Sequence, residues 1–468
     1  PFQYFNNPPT KTCSKHRADQ TTNATVTMYD SHTIVAQATP FGRGSVSIIR
    51  LSGEKALLIA QSLANDSIVL RDRVVVLSSV FIDSKKKIDE ALFTYFRNPN
   101  SYTGEDIVEI SCHGNPVIVD SIIKRACFLG AKIAEPGEFT KRAFLNGKLD
   151  LIQAEAVGDL INSRSEEAAL HQNKNLSGSV SSTVLKIQKD LLSILSSLEF
   201  EFDVSELDTH LPENVNNYLK VLKNSCLKVR SILNSYSMGL AYTQGLRIAL
   251  VGKPNVGKST LMNCLLGENR SITSSVSGTT RDTITSEITL SGVPVLLIDT
   301  AGITNTDNPI EKEGVLRASK EIERADIIIS MSSPKIKKIE TKHSKKTIHV
   351  YNKTDSIKAG LVKKPSYFYI SALNNQGVDL LLERLKLLVT ENNFSTDSTI
   401  NNLRQKDALE KSLSSLTSAL NILKNNKPEL ELVAFEIKDS MNFLSVFLGK
   451  VNSEDVLNGV FSNFCVGK

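Results

Sequence analysis

The chain has 468 residues, 41% of them apolar, and its formal charge of +5 comes from 55 Lys and Arg against 50 Asp and Glu. That length supports about three domains with substantial cores, and the mild charge permits a nucleic-acid partner without requiring one. No run approaches the ~20 continuous apolar residues of a membrane span, no signal-peptide pattern is present, and the six cysteines form neither C-x-x-C pairs nor Cys/His clusters, which argues against a disulfide scaffold or a structural zinc protein and for reduced thiols in a cytoplasmic protein.

Residues 1–27 are rich in Asn, Thr and Pro and show no apolar period, so they are set apart as a leader or upstream extension before Met28. Over 28–148 the short runs "HTIVAQA", "SVSIIRLSG", "EALFTYF" and "DIVEISCHG" alternate with two helical patterns, which predicts a small α+β domain. The period then turns helical over 149–245. Val184, Ile187, Leu191, Ile194 and Leu198 step by three and four, as do Leu219, Leu222, Cys226, Val229 and Leu233, with a break near Pro212. Strands and helices alternate over 246–388, the pattern of a doubly wound α/β sheet. Helical spacing resumes in 389–468 at Leu409, Leu413, Leu416, Leu420 and Leu423. An α/β unit is thus inserted into a helical domain whose two segments are expected to pack together.

The inserted unit carries "LRIALVGKPNVGKSTLMN", an apolar strand, a G-x-x-x-x-G-K-S loop from Gly252 to Ser259 and a helix. Backbone N–H groups of such a loop wrap phosphate oxygens, the helix N-terminus adds its dipole, Lys258 reaches the β- and γ-phosphates, and the Ser259 hydroxyl suits Mg²⁺. "LLIDTAG" delivers Asp299 and Gly302. "VYNKTD" ends a strand in Asn352, Lys353, Thr354 and Asp355, whose carboxylate can accept both N1–H and the exocyclic amine of guanine, donors that adenine lacks. "YFYISAL" supplies Ser371 and Ala372, a place for a backbone N–H to meet the guanine O6. The order and spacing predict GTP binding.

Many GTPases place a glutamine just after the Asp-x-x-Gly turn to orient the attacking water. Here that position is Ile303, which offers no donor or acceptor. Glu311, close downstream, reads either as the group that takes over this role or as a solvated carboxylate at a helix start. Asn255, inside the loop, has a side-chain carbonyl suited to a monovalent cation.

The loop with Asn255, "SGTTRD", "DTAG" followed by a hydrophobic residue, and the closing "FCVGK" together resemble the MnmE (TrmE) family of tRNA modification GTPases, as do the long phrases "TIVAQATPFGRGSVSIIRLSG", "NPNSYTGEDIVEISCHGNPVIVD" and "EPGEFTKRAFLNGKLDLIQAEAVGDLI". The resemblance runs from Met28 onward. It implies a tetrahydrofolate-binding N-terminal domain, a discontinuous helical domain and an inserted P-loop GTPase domain. It further implies a potassium-stimulated hydrolase that acts with the flavoprotein MnmG (GidA) on C5 of the wobble uridine of tRNA, with a 5-formyl or 5,10-methylene folate supplying one carbon. A homodimer through the N-terminal domain and transient G-domain dimerisation are implied as well.

Position by position, the resemblance assigns K⁺ to Asn255, Ser274, Val276 and Thr279, Mg²⁺ to Ser259 and Thr280, and catalytic roles to Glu311, Lys258 and Cys465. Nucleotide contacts are expected to include Val256, Gly257, Thr260, Ser275, Ser277, Gly278, Thr300, Ala301 and Leu373. Folate contacts fall on Arg50, Glu109, Lys148 and Lys468, with Cys465 beside them. Three stretches depart from the family pattern: Thr304 and Asn305 after Ile303, the short basic stretch before Asn352, and the turn near Gly449. A ribosome-assembly GTPase and a GTP-binding scaffold without turnover are the alternatives, and the first lacks the folate-like phrases and the Cys-x-Gly-Lys ending.

Overall fold

The computed structural model describes residues 32–66, 68–204, 215–269, 285–300, 320–334, 336, 346–357, 364–390, 399–425, 427–450, 454–462 and 464–467. Two compact units partition the chain, one running to Pro99 and resuming over Glu105–Ile133, the other containing Asn100–Gly104 and everything from Ala134.

The first unit is a six-stranded sheet in the order β3-β4-β5-β2-β1-β6, formed by β1 (Ile34–Gln37), β2 (Val46–Ser52), β3 (Val75–Phe81), β4 (Lys87–Phe96), β5 (Ile107–His113) and β6 (Lys132–Ile133). All neighbours are antiparallel except β1 and β6. Alternation decides its faces: Ile49, Leu51, Val108 and Ile110 are fully buried against α1 (Ala56–Leu63) and α2 (Pro116–Phe128). Helix α2 starts where it does because the Asn115 side chain accepts the Val117 N–H and Pro116 occupies the first turn. β3 and β6 add to the four expected strands. β3 is an edge strand that leaves Val75 and Leu77 exposed, so no core-facing alternation marks it, and β6 has only two residues.

In the second unit, α3 (Glu138–Leu145), α4 (Leu151–Ile161), α5 (Glu166–Leu176), α6 (Ser179–Val204), α7 (Val215–Asn234) and α8 (Tyr236–Gln244) precede a second sheet. That sheet holds β7 (Leu246–Val251), β8 (Thr285–Leu290), β9 (Val293–Asp299), β10 (Ile327–Ser332), β11 (Lys346–Tyr351) and β12 (Tyr367–Tyr369) in the order β12-β11-β10-β7-β9-β8. Only the β8–β9 pair is antiparallel. The stretch that departs from the family pattern still contributes β10, "IIISMS", whose six residues are all buried as a central parallel strand requires. Helix α9 (Lys258–Asn269) follows β7 and α10 (Val378–Thr390) follows β12; α11 (Leu403–Leu423), α12 (Leu430–Leu448) and α13 (Glu454–Phe461) complete the unit. None of the helices among the described residues is long and apolar enough to cross a membrane.

The two helical segments share one core: Val184, Ile187, Leu191, Ile194 and Leu198 of α6 pack with Leu222 and Val229 of α7, Leu409 and Leu416 of α11, and Ile437 and Leu444 of α12. The expected break at Pro212 lies outside the described residues. Where the inserted unit returns, α4 holds the stretch 401–405. Glu155 accepts from Asn402 Nδ2 at 3.1 Å, Arg404 Nη2 at 2.9 Å and Gln405 Nε2 at 2.6 Å. Arg404 Nη1 donates on to the Val446 and Phe447 carbonyls at the end of α12. One turn along α4, Asp159 accepts from Asn401 Nδ2 at 2.6 Å, and burial, with the Glu155 charge adding to it, pushes its carboxyl up to about 6.

A carboxyl whose folded value exceeds the usual 3.8 contributes stability below that pH and loses it as pH rises through about 6. Asp159→Asn retains the acceptor for Asn401 and removes the charge. The variant is therefore expected to melt at a higher temperature than wild type at pH 7 and to show a flatter dependence between pH 4 and 6; calorimetry at several pH values checks this, and a lower melting temperature at pH 7 would contradict it.

Candidate functional site

β9 and β10 flank β7 on opposite sides, so the chain reverses its strand order there and leaves a crevice at the carboxyl ends, where doubly wound sheets bind ligands. The loop leaving β7 fills that crevice. Asn255 has φ +62° and Gly257 φ +97°; a Cβ at Gly257 would overlap Asn352 Nδ2, so only glycine fits. Gly252 is equally confined, since a Cβ there would lie 2.9 Å from Val256 Cγ1 and 3.0 Å from the Met331 carbonyl.

Lys258 is 7% exposed, and its ammonium donates to the Gly252 carbonyl at 2.9 Å and the Lys253 carbonyl at 3.4 Å. Burial lowers its pKa, opposed by the Asp299 charge. Ser259 and Thr260 open α9 and are exposed. Ser259 Oγ donates to Asp299 Oδ2 at 2.9 Å, while Asp299 Oδ1 is buried without a hydrogen-bond partner. An orphaned carboxylate oxygen beside a serine hydroxyl fits Mg²⁺, which keeps several waters and binds through one or two protein oxygens and phosphate. Thr300 is turned inward, its hydroxyl on the Leu250 carbonyl at 2.6 Å.

The residues expected to bind the base converge on the same loop. Asn352 Nδ2 donates to the Val256 carbonyl at 2.9 Å, and Asn352 Oδ1 accepts the Ala372 N–H at 3.0 Å, so this buried side chain ties the phosphate loop to the segment after β12. Lys353 has φ +63° and turns the chain into the 3₁₀ turn Thr354–Ser356; the Thr354 N–H donates to the Ile370 carbonyl. Ser371 Oγ donates to Asp355 Oδ1 at 2.5 Å, which ties an exposed carboxylate to the segment after β12, where Leu373 is 79% exposed. Sequence reasoning assigned no role to Cys264, whose thiol donates to the Ala372 carbonyl at 2.9 Å, nor to the backbone carbonyls of Gly252, Lys253 and Ile370, which accept from Lys258 and Thr354. No side-chain signal marks the carbonyl roles.

Ser274, Ser275, Val276, Ser277, Gly278, Thr279, Thr280, Ala301, Gly302, Ile303, Thr304, Asn305, Glu311 and Lys468 lie outside the described residues. Arg50 and Glu109 are cross-strand partners on β2 and β5, with Arg50 Nη2 donating to Glu109 Oε1 at 2.8 Å. Lys148 belongs to the other compact unit, where its side chain covers Gly104. The tail packs onto α3 and α4: the Phe464 ring lies against Gly158 and Phe461, and the Gly137 N–H donates to the Cys465 carbonyl at 3.4 Å. Cys465 is exposed and unbridged.

Residues 33–148 match the family described as the GTP-binding protein TrmE N-terminus, and residues 151–465 match the MnmE helical domain. The tRNA modification GTPase MnmE of Clostridioides difficile is 36% identical over 464 residues, 94% of this chain and all of the relative. Those of Thermotoga maritima and Francisella tularensis are 37% identical over 93% and 94% of this chain and all of theirs. Among solved structures, an Era variant from Aquifex aeolicus bound to GDP and aluminium fluoride matches 36% of this chain and 66% of its own at 27% identity with a TM-score of 0.26, too low to bear on domain arrangement.

Proposed function

The chain belongs to the MnmE (TrmE) family of tRNA modification GTPases, GTP hydrolases acting in tRNA modification, and from that premise we propose that it uses GTP turnover to drive modification at C5 of the wobble uridine of tRNA together with the flavoprotein MnmG. The observation that carries the nucleotide reading is the Asn352 bridge, which seats the Asp355 carboxylate, the Ala372 segment and the phosphate loop in one crevice. Asp355 pairs with the guanine N1–H and amine, and Lys258 exchanges its loop carbonyls for phosphate oxygens. When bound, Mg²⁺ offsets phosphate charge, and Ser259 with Thr280 is proposed to hold it near Asp299. Asn255 with Ser274, Val276 and Thr279 is proposed to hold K⁺. Nucleotide contacts extend to Val256, Gly257, Thr260, Ser275, Ser277, Gly278, Thr300, Ala301, Gly302, Lys353, Thr354, Ser371 and Leu373.

For the N-terminal unit we propose tetrahydrofolate binding. The Arg50–Glu109 pair supplies a cation and a carboxylate on one sheet face, the charges that the glutamate tail and the amino-pyrimidine edge of a folate require, with Lys148 and Lys468 as further cations. The same sheet leaves Val46, Val75, Leu77 and Leu92 exposed, an apolar surface that supports homodimerisation through this unit. G-domain dimerisation during turnover and a cytoplasmic location complete the reading.

Cys465→Ser tests the one-carbon chemistry. The thiol is exposed while its neighbours Phe461 and Phe464 do the packing, so the substitution should leave folding and basal GTP hydrolysis near wild type. Wobble-nucleoside mass spectrometry of a strain lacking the chain, complemented with this variant, is expected to find the modification absent. Normal modification by Cys465→Ser would reduce the tail to a packing element.

A further inference from the structure

Helix α7 carries Lys220, Lys223, Lys228 and Arg230 and no Asp or Glu in 20 residues. A helix exposed only to water usually intersperses both signs. Lys228 is taken by Asp190 of α6 at 3.3 Å. α7 and α11 run antiparallel: the Cys226 thiol meets Thr417, and Lys406 lies 5.2 Å from the Tyr236 ring just past the end of α7. The first half of α7 therefore borders the second half of α11. Early cations of α11 are paired, Arg404 with Glu155 and Lys406 with Glu410. Between Glu410 and Glu429 no carboxylate occurs, while Lys424 and Lys427 do.

Lys220, Lys223, Arg230, Lys424 and Lys427 are exposed and make no ion pair among the described residues. Exposed Asn224, Ser231, Asn421 and Asn425 lie among them. On the opposite edge of the same bundle, α6 and α12 carry three lysines against seven carboxylates. The bundle is thus polarised, and its basic edge runs about 15 Å from Lys220 to Arg230 at 1.5 Å per residue. Unpaired cations interleaved with amides and a hydroxyl match a sugar-phosphate backbone, which offers repeated anionic oxygens and ribose hydroxyls.

We propose that the α7–α11 edge of the helical bundle is the surface that holds the phosphate backbone of the tRNA, an assignment that rests on the tRNA reading above. None of these residues touches the nucleotide crevice. The test compares two charge-matched double variants of the full chain, Lys220→Glu with Lys223→Glu on α7 and Lys186→Glu with Lys189→Glu on α6, by fluorescence anisotropy with an unmodified tRNA transcript over a series of KCl concentrations. The α7 pair is expected to raise Kd about tenfold and to flatten the plot of log K against log salt by about two, one for each phosphate no longer neutralised. The α6 pair should stay within about twofold of wild type, Lys220→Arg with Lys223→Arg should bind normally, and GTP hydrolysis should be unchanged in all.

Unaltered binding by the α7 pair, or equal weakening by both pairs, would overturn the surface and leave the tRNA reading standing. An α7 pair that lost the flavoprotein partner and kept tRNA would assign the edge to an acidic protein instead. Wild-type chain that bound no tRNA at any salt would remove the tRNA reading itself.

Discussion

Asn352→Ala is expected to weaken GTP binding by about a hundredfold while the chain stays folded. The Asn352 amide spans the Val256 carbonyl and the Ala372 N–H, and its own environment is buried, so truncation leaves two backbone groups without partners. Each orphaned group costs about 1–3 kcal/mol, and a combined loss of about 3 kcal/mol is about two decades in affinity. The loss falls on binding because the two segments that Asn352 joins are the proposed phosphate and base walls of one crevice. Titration with a fluorescent GTP analogue measures it, and melting without nucleotide reports the structural share. Asp355→Asn separates the roles: it spares the bridge and removes only the carboxylate that meets the guanine donors, so GTP should weaken while xanthosine triphosphate, with a carbonyl in place of the amine, should bind better. GTP affinity within twofold of wild type in Asn352→Ala would refute the bridging role.

Glu311→Ala is expected to lower kcat by about 10²–10⁴-fold with little change in GTP affinity. The described groups of the crevice have other tasks: Asp299 receives the Ser259 hydroxyl on Oδ2 and leaves Oδ1 for the proposed Mg²⁺, Asp355 receives the Ser371 hydroxyl, and Lys258 sits on the loop. Ile303 has no polar atom with which to orient water. The family resemblance assigns the water-orienting role to Glu311, and this substitution tests that proposal. Single-turnover hydrolysis and equilibrium binding on one preparation separate the two effects; parallel losses in both would make Glu311 structural. Repeating the assay with sodium in place of potassium should slow wild-type hydrolysis, because a site of four oxygens sized for the larger ion holds the smaller one poorly, and indifference to the exchange would sink the Asn255 assignment.

Much of this was legible from residue order alone. The G-x-x-x-x-G-K-S loop lies between β7 and α9, because its glycines, lysine and serine act through local geometry that neighbouring residues impose. The three-and-four spacing of α6, α7 and α11 identified buried faces, because a helix repeats its exposure every 3.6 residues whatever it packs against. β3 escaped notice for the converse reason: an edge strand with exposed Val75 and Leu77 buries too little to impose a pattern.

Asn352 marks the boundary between the two kinds of information. Its place before Lys353 and Asp355 announced a guanine site, yet its bonds to Val256 and Ala372 depend on β11 and β12 aligning beside β10 and β7. Glu155 lies wholly on the tertiary side. In "LIQAEAVGDLI" it reads as one more helix carboxylate, and its partner Arg404 is 249 residues away. Backbone propensity and apolar period act over a few residues and are therefore written in the chain locally. Whether a buried charge meets its partner depends on which distant segments the shared core of α6, α7, α11 and α12 brings together, so only the folded structure decided that Glu155 ties the return of the inserted unit to the helical bundle.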